Sequence, residues 1–332
     1  MKRKFTIAAL NAVLGIAAII PVAASAEAFP SHPLTIIVPF TAGGATDVLT
    51  RTIAEGLSQE LGQPVVVANV PGAGGSIGQA KVARSEANGY TMLLGNIGTL
   101  AANASLYTNL PYNVLKDFTA IASVGDAPQV LTVRSTFPAD NFDQFVQHAL
   151  KNGKDMHVGT AGVGSGSFLG GVVLNAAIGA NIEPVHYRGA AQATSDVMAG
   201  HIDYTIESSS TAVSTTASGK AKALLVLREE RVPVLPDVPA AGETKFPHLK
   251  YDIWNMMLAP KGVPEPVLKT LNDAINRTLQ RPEVKARYAA MGVSVPAAEQ
   301  RSLDGAAKLL SSEVESWRKL LQEAGVKPQS GN

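Results

Sequence analysis

Two stretches of this chain carry residues able to hold an anion without any basic side chain. The first, Pro39-Phe-Thr-Ala-Gly-Gly-Ala-Thr-Asp47, follows the apolar, β-branched run Leu34–Val38. It precedes a pattern with Val48, Leu49, Ile53, Leu57 and Leu61 on one helical face. That order reads as strand, glycine turn, helix start. Gly43 and Gly44 lack a Cβ, so a ligand can approach the backbone closely. The first N–H groups of a helix have no partner inside it and stand at the positive end of its dipole. The same residues also fit an ordinary strand-to-helix turn with Thr46 or Asp47 as N-cap. The second stretch, Gly159-Thr-Ala-Gly-Val-Gly-Ser-Gly-Ser167, repeats the plan between an extended Met156–Val158 and a helix running to Ile178. Two such loops in one chain favour anion binding over coincidence.

Other chemistry finds little support. Ser165 has Val163 and Ser167 at its flanking second positions, so the G-x-S-x-G elbow of a serine hydrolase is absent. His157 and His186 fall inside predicted strands, where a structural histidine is the commoner role. No H-E-x-x-H, P-loop lysine or Asp-rich calcium loop occurs, and the chain has no Cys. Neither a metal site nor a cofactor is expected. Pro71-Gly-Ala-Gly-Gly-Ser-Ile-Gly78 is not a dinucleotide fingerprint, because Ile77 stands where the third glycine belongs. Asn96, at the end of the strand Tyr90–Leu94, is a candidate ligand contact, since open α/β sheets collect ligands at strand carboxyl ends. Capping the next helix is its alternative role.

The elements that must position these loops alternate short apolar runs with helical patterns, the mark of α/β layers. Met1–Ala26 has the parts of a cleaved secretory signal: Lys2, Arg3 and Lys4, an apolar stretch from Phe5 to about Ile20, and Ala24-Ser-Ala26. A membrane anchor is the competing reading, which Asn11 and the cleavage motif disfavour. Losing the three basic residues takes the formal charge from +1 to about −2. That balance argues against nucleic acid or an anionic membrane surface as partner. The remaining length suits two lobes: 27–125 and 228–332 forming one, 126–227 inserted as the other. Ile121–Val124 and Val130–Arg134 read as two extended pieces, with Gly125-Asp-Ala-Pro128 as a crossing between them.

Taken together, several segments resemble the Bug (TctC-like) extracytoplasmic solute receptors. They are Pro39–Asp47, Asn69–Gly78, Asn88-Gly-Tyr-Thr91, Leu110-Pro-Tyr112 with Lys116-Asp-Phe118, Gly159–Ser167, His186-Tyr-Arg-Gly189 and Leu235-Pro-Asp-Val-Pro239. The resemblance implies a two-lobed α/β fold of the type II periplasmic binding protein class, hinged around a ligand. It implies that a carboxylate is held between the two glycine loops by backbone N–H groups and water. Carried onto this chain, those loops assign Phe40, Thr41, Ala42, Gly43, Gly44 and Asp47 on one side, and Thr160, Ala161, Gly162, Gly164, Ser165 and Ser167 on the other. Asp47 cannot usefully face a carboxylate, so it is expected to brace its loop.

The chain departs from the family pattern at three places. Phe168 stands where a His is frequent, and Arg188 where a Lys is frequent. Glu207 ends a strand that should face the cleft, where its charge would repel a second carboxylate. Its alternative role is pairing with a residue such as Arg188. The implied partners are a small organic acid (a mono-, di- or aromatic acid, or an amino acid) and either the permease of a tripartite tricarboxylate transporter or a sensor. The expected protein is a periplasmic monomer and no enzyme. An orphan signalling receptor and a cleft hydrolase are the alternatives.

Overall fold

A computed structural model describes residues 29–187 and 189–330. The signal segment and Arg188 lie outside the described residues. The β-branched run forms β1 (Leu34–Val38), which pairs in parallel with β2 (Val65–Asn69) and β3 (Thr91–Asn96). The helix α1 (Ala45–Leu61) buries Leu49, Ile53 and Leu57, spaced four apart as one face requires. Val48, expected on that face, is 43% exposed, because one residue turns the helix by 100°. Helix α2 (Ser76–Ala83) follows β2, and after β3 come a single wide turn (Gly98–Ala102) and α3 (Asn103–Leu106).

The crossing expected at Gly125–Pro128 is not a loop. β4 runs unbroken from Phe118 to Arg134. Antiparallel β9 (Asp252–Pro260) covers it as far as Pro128, and the register slips between Ala120 and Ala122 and between Ser123 and Gly125 absorb the bend. Beyond Pro128 the same strand pairs with β7 (Tyr204–Ser208) and β8 (Ala221–Val226). β5 (His157–Thr160) and β6 (Glu183–His186) complete the sheet, in the order β2-β1-β3-β9-β4-β7-β5-β6, with β8 also on β4.

Helices α4 (Phe142–Asn152), α5 (Gly166–Ile178), α6 (Ala190–Ala199) and α7 (Ser209–Ala217) dress the β5–β8 end. α8 (Glu265–Gln280), α9 (Pro282–Ala290) and α10 (Leu303–Glu323) return to the β1–β3 end. α7 was hidden in a hydroxyl-rich run of low helix propensity. Ser208 caps it, and Ala212 packs with Val130 and Val226. One apolar cluster continues from Leu93 and Met256 through Tyr251, Trp254 and Trp317 to Phe145 and Ile206, so the two ends share a core.

Where the two ends join, β4 and β9 bring two carboxyls together. Asp252 pairs with Arg228 at 2.9 Å, and Arg228 also donates to the Ser294 hydroxyl, whose backbone is bonded both ways to that of Asp126. Burial, with the nearby Asp252 charge adding to it, pushes Asp126 up to about 7. Burial lifts Asp252 to about 6 against the pull of Arg228. An acid whose pKa is higher folded than unfolded binds its proton more tightly in the folded state. Stability therefore falls as the pH rises from near 4 through 7. Asp126→Asn is expected to raise the melting temperature at pH 8 by about 2–4 °C, the equivalent of about 1 kcal/mol, with little gain near pH 4. Scanning calorimetry at the two pH values checks this, and an equal shift at both would refute it.

Candidate functional site

The first loop is fixed from behind. Asp47, in the first turn of α1, accepts from the Gly43 N–H at 2.9 Å, from Arg51 Nε at 3.0 Å and from Asn69 Nδ2 at 2.8 Å. Asn69 Nδ2 also reaches the Phe40 carbonyl at 3.1 Å, and Arg51 Nη2 donates to Asn69 Oδ1 at 2.9 Å. Burial opposes the Asp47 charge, yet the bonds from Arg51, Gly43 and Asn69 outweigh it and hold the carboxyl below the usual range. Asp47 thus braces its loop and does not cap the helix. Gly44 is the N-cap, with no side-chain cap bond. The N–H groups of Ala45, Thr46 and Asp47 have no partner among the described residues, and Thr41–Ala45 are exposed. Asp47→Ala removes three hydrogen bonds to a charged, buried group. It is expected to lower stability by about 2–3 kcal/mol, measured by urea unfolding; a loss near zero would show that the loop holds its shape without the brace.

The second loop spends more of its donors on itself. Ser165 is the N-cap of α5 and accepts from the Phe168 N–H at 3.2 Å. Ser167 Oγ accepts from the Ala161 N–H at 2.9 Å, and Gly162 N–H leans on Thr160 Oγ1 at 3.4 Å. Of the backbone donors around this loop, those of Val163, Gly164, Gly166 and Ser167 have no partner among the described residues. The free donors therefore sit one to five residues further along than Gly162.

The second loop meets the segment after β3, the strand that pairs beside the one leading into the first loop. Gly98, just after β3, lies so close to the Gly164 carbonyl that an added Cβ would stand 2.6 Å from its oxygen. Asn103, only 1% exposed, donates to the Gly74 carbonyl at 2.8 Å, and its Oδ1 lies 3.1 Å from where a Cβ on Gly164 would be. Asn96 takes the capping role: its Oδ1 accepts from Gly98 N–H at 3.1 Å and Thr99 N–H at 3.2 Å. Phe40–Gly44 and Thr160–Ser167 thus flank the turn after β3, with Gly164 in contact with it.

Glu207 does not face this gap. Its neighbour Ile206 packs on α5 at Gly170, which turns Glu207 to the opposite side of the sheet, toward α6 and α7. There it is 6% exposed and accepts from Thr194 Oγ1 at 3.2 Å and Thr215 Oγ1 at 3.3 Å. Burial pushes its carboxyl above the ordinary range. The expectation of a cleft-facing charge is corrected by the strand's alternation. No cation pairs with it among the described residues.

Sequence reasoning missed Arg51 and Asn69 as braces and Gly98 and Asn103 as the bridge. Asn103 had a signal: it is a lone amide within the small, apolar run Leu100-Ala-Ala-Asn-Ala. No group of three His, Asp or Glu side chains among the described residues is placed to hold a metal. Ser165 and Ser167 serve the loop, and no histidine partners either of them among the described residues.

Two α/β halves sharing one sheet, each with a helix N-terminus on the side of the turn after β3, match a two-lobed ligand-binding fold. A family model described as the tripartite tricarboxylate transporter family receptor (TctC) matches residues 49–326. The chain belongs to that family, whose members are solute-binding receptors and not enzymes. The protein BugT of Bordetella pertussis is 34% identical over 317 residues, 95% of each chain. Among solved structures, MatC from Rhodopseudomonas palustris with bound malate is 33% identical with a TM-score of 0.78, covering 88% of this chain and 100% of its own. The periplasmic binding protein BugD is 34% identical with a TM-score of 0.80, covering 91% of this chain and 100% of its own.

Proposed function

We propose that this protein is an exported receptor that captures a small organic carboxylate between its lobes and delivers it to the permease of a tripartite tricarboxylate transporter. The observation that carries this reading is the set of unpartnered N–H groups at the starts of α1 and α5. Helix N-termini bind anions through such groups and the helix dipole. A ligand touching both lobes stabilises the closed arrangement by the contacts it makes only there. The lobes join along β4, which near Pro128 exchanges β9 for β7 and β8 as its partners. Met1–Ala26 then serves as the export signal that sends the mature chain to the periplasm, and the family resemblance supports this location.

With Glu207 turned away from the gap, nothing it contributes repels a second carboxylate. The malate bound by MatC favours short diacids and hydroxy acids as the first compounds to test. A thermal-shift screen of the mature protein against mono-, di- and aromatic acids, amino acids and their amides decides. An acid at about 100 times its Kd should stabilise the fold by about 2.7 kcal/mol. The hit should vanish when the carboxylate is esterified. A response to neutral amides that persists without any carboxylate would overturn the reading.

A further inference from the structure

We infer that His186 is a ligand-contacting residue that offers one Nε2–H donor beside the second loop and so selects acids carrying a second acceptor group. This rests on the receptor reading above and deepens it.

Thr160 and His186 are register partners on adjacent parallel strands, with Thr160 Oγ1 2.7 Å from His186 Nδ1. Thr160 is fully buried, at 0% exposure. Its hydroxyl has one proton to give. Its described neighbours are the Gly162 N–H, itself a donor, and His186 Nδ1, so the imidazole nitrogen is the only acceptor for that proton among the described residues. Nδ1 is therefore unprotonated and the ring proton stands on Nε2. The ring is anchored on one side by Thr160, lies 5.7 Å from the buried Phe168 ring in the first turn of α5, and is otherwise exposed. Burial lowers its affinity for a second proton, and the positive end of α5 nearby works the same way.

The loop from Thr160 to Ser167 otherwise meets a ligand through backbone and hydroxyl groups. His186 adds a side-chain donor held at a fixed place beside it. An acid whose first carboxylate rests on the α5 N-terminus would reach this donor with a second carboxylate, a keto oxygen or a hydroxyl. An aliphatic monoacid has nothing to offer it.

The test is calorimetric titration of the mature protein with succinate and with butyrate, which share a chain length and differ in one carboxylate. His186→Ala should weaken succinate about 10-fold or more, the scale of a hydrogen bond to a charged group, and leave butyrate within about twofold. His186→Gln, which retains an N–H donor, should recover part of the loss, and both variants should stay folded without ligand, His186→Ala melting somewhat lower because the buried Thr160 hydroxyl loses its acceptor. Two-bond proton–nitrogen correlation spectra should show the Nε2–H form. Equal weakening of both acids, no effect on either, or an Nδ1–H ring would overturn the inference while leaving the receptor reading standing. A wild-type protein that binds neither succinate nor butyrate but takes a neutral amide would overturn both.

Discussion

Gly164→Asp is expected to raise the Kd for the bound acid more than about 100-fold, a loss of about 2.7 kcal/mol. Gly164 has φ of +80°, a left-handed conformation costing about 1–2 kcal/mol for a residue with a Cβ. The new Cβ would press on Asn103 Oδ1 at 3.1 Å and Leu106 Cδ1 at 3.3 Å. The decisive term is the carboxylate: it would occupy the free N–H groups of Gly166 and Ser167 from within and repel any ligand anion that approached. Folding should survive with a modest fall in melting temperature. Gly43→Asp provides the independent check: with φ of +84° it carries the same left-handed strain, but nothing lies within 4 Å of a Cβ there. Normal affinity in both variants, measured by calorimetry, would show that the two helix N-termini do not hold the ligand.

Gly98→Ala separates affinity from stability. A methyl at Gly98 would stand 2.6 Å from the Gly164 carbonyl oxygen, a backbone atom that cannot swing aside. The two sides of the gap must then stay further apart. Gly98 lies in a helical turn, where exchanging glycine for alanine restrains the unfolded chain by about 0.4–1 kcal/mol. The expected result is a folded protein, in which that gain partly offsets the cost of relieving the contact, that binds its acid about 10- to 100-fold more weakly, a loss of about 1.4–2.7 kcal/mol. Small-angle scattering should show less compaction on adding ligand. Unchanged affinity with full compaction would mean that Gly98 and Gly164 do not meet in the ligand-bound form.

The alternating order of strands and helices was legible because burial imposes it locally: Leu34–Val38, Phe142–Asn152 and the stripe on α1 each carry their pattern within a few residues. The two glycine loops were legible for the same reason. What could not be read was anything fixed by a partner far away in sequence. Gly125–Pro128 resembles a turn in isolation and becomes strand because β9, more than a hundred residues later, covers it. Glu207 resembles a cleft residue until Thr194 and Thr215 close over it from another face. Asn69 carries a family motif, yet its task of tying Asp47 and Phe40 together emerges only when β2 lies beside β1. Phe168 looked like the loss of an imidazole, but His186 places one beside it.

The unbroken run of β4 has a consequence for how the molecule comes apart. A lobe joined to its neighbour by a slack linker can melt alone and be seen melting alone. Here one strand supplies hydrogen bonds to both ends of the sheet, and a continuous apolar cluster passes beneath the junction. Melting either end would strip β4 of partners and expose the core of the other. Despite two lobes, heating should give a single calorimetric transition whose van't Hoff and measured enthalpies agree.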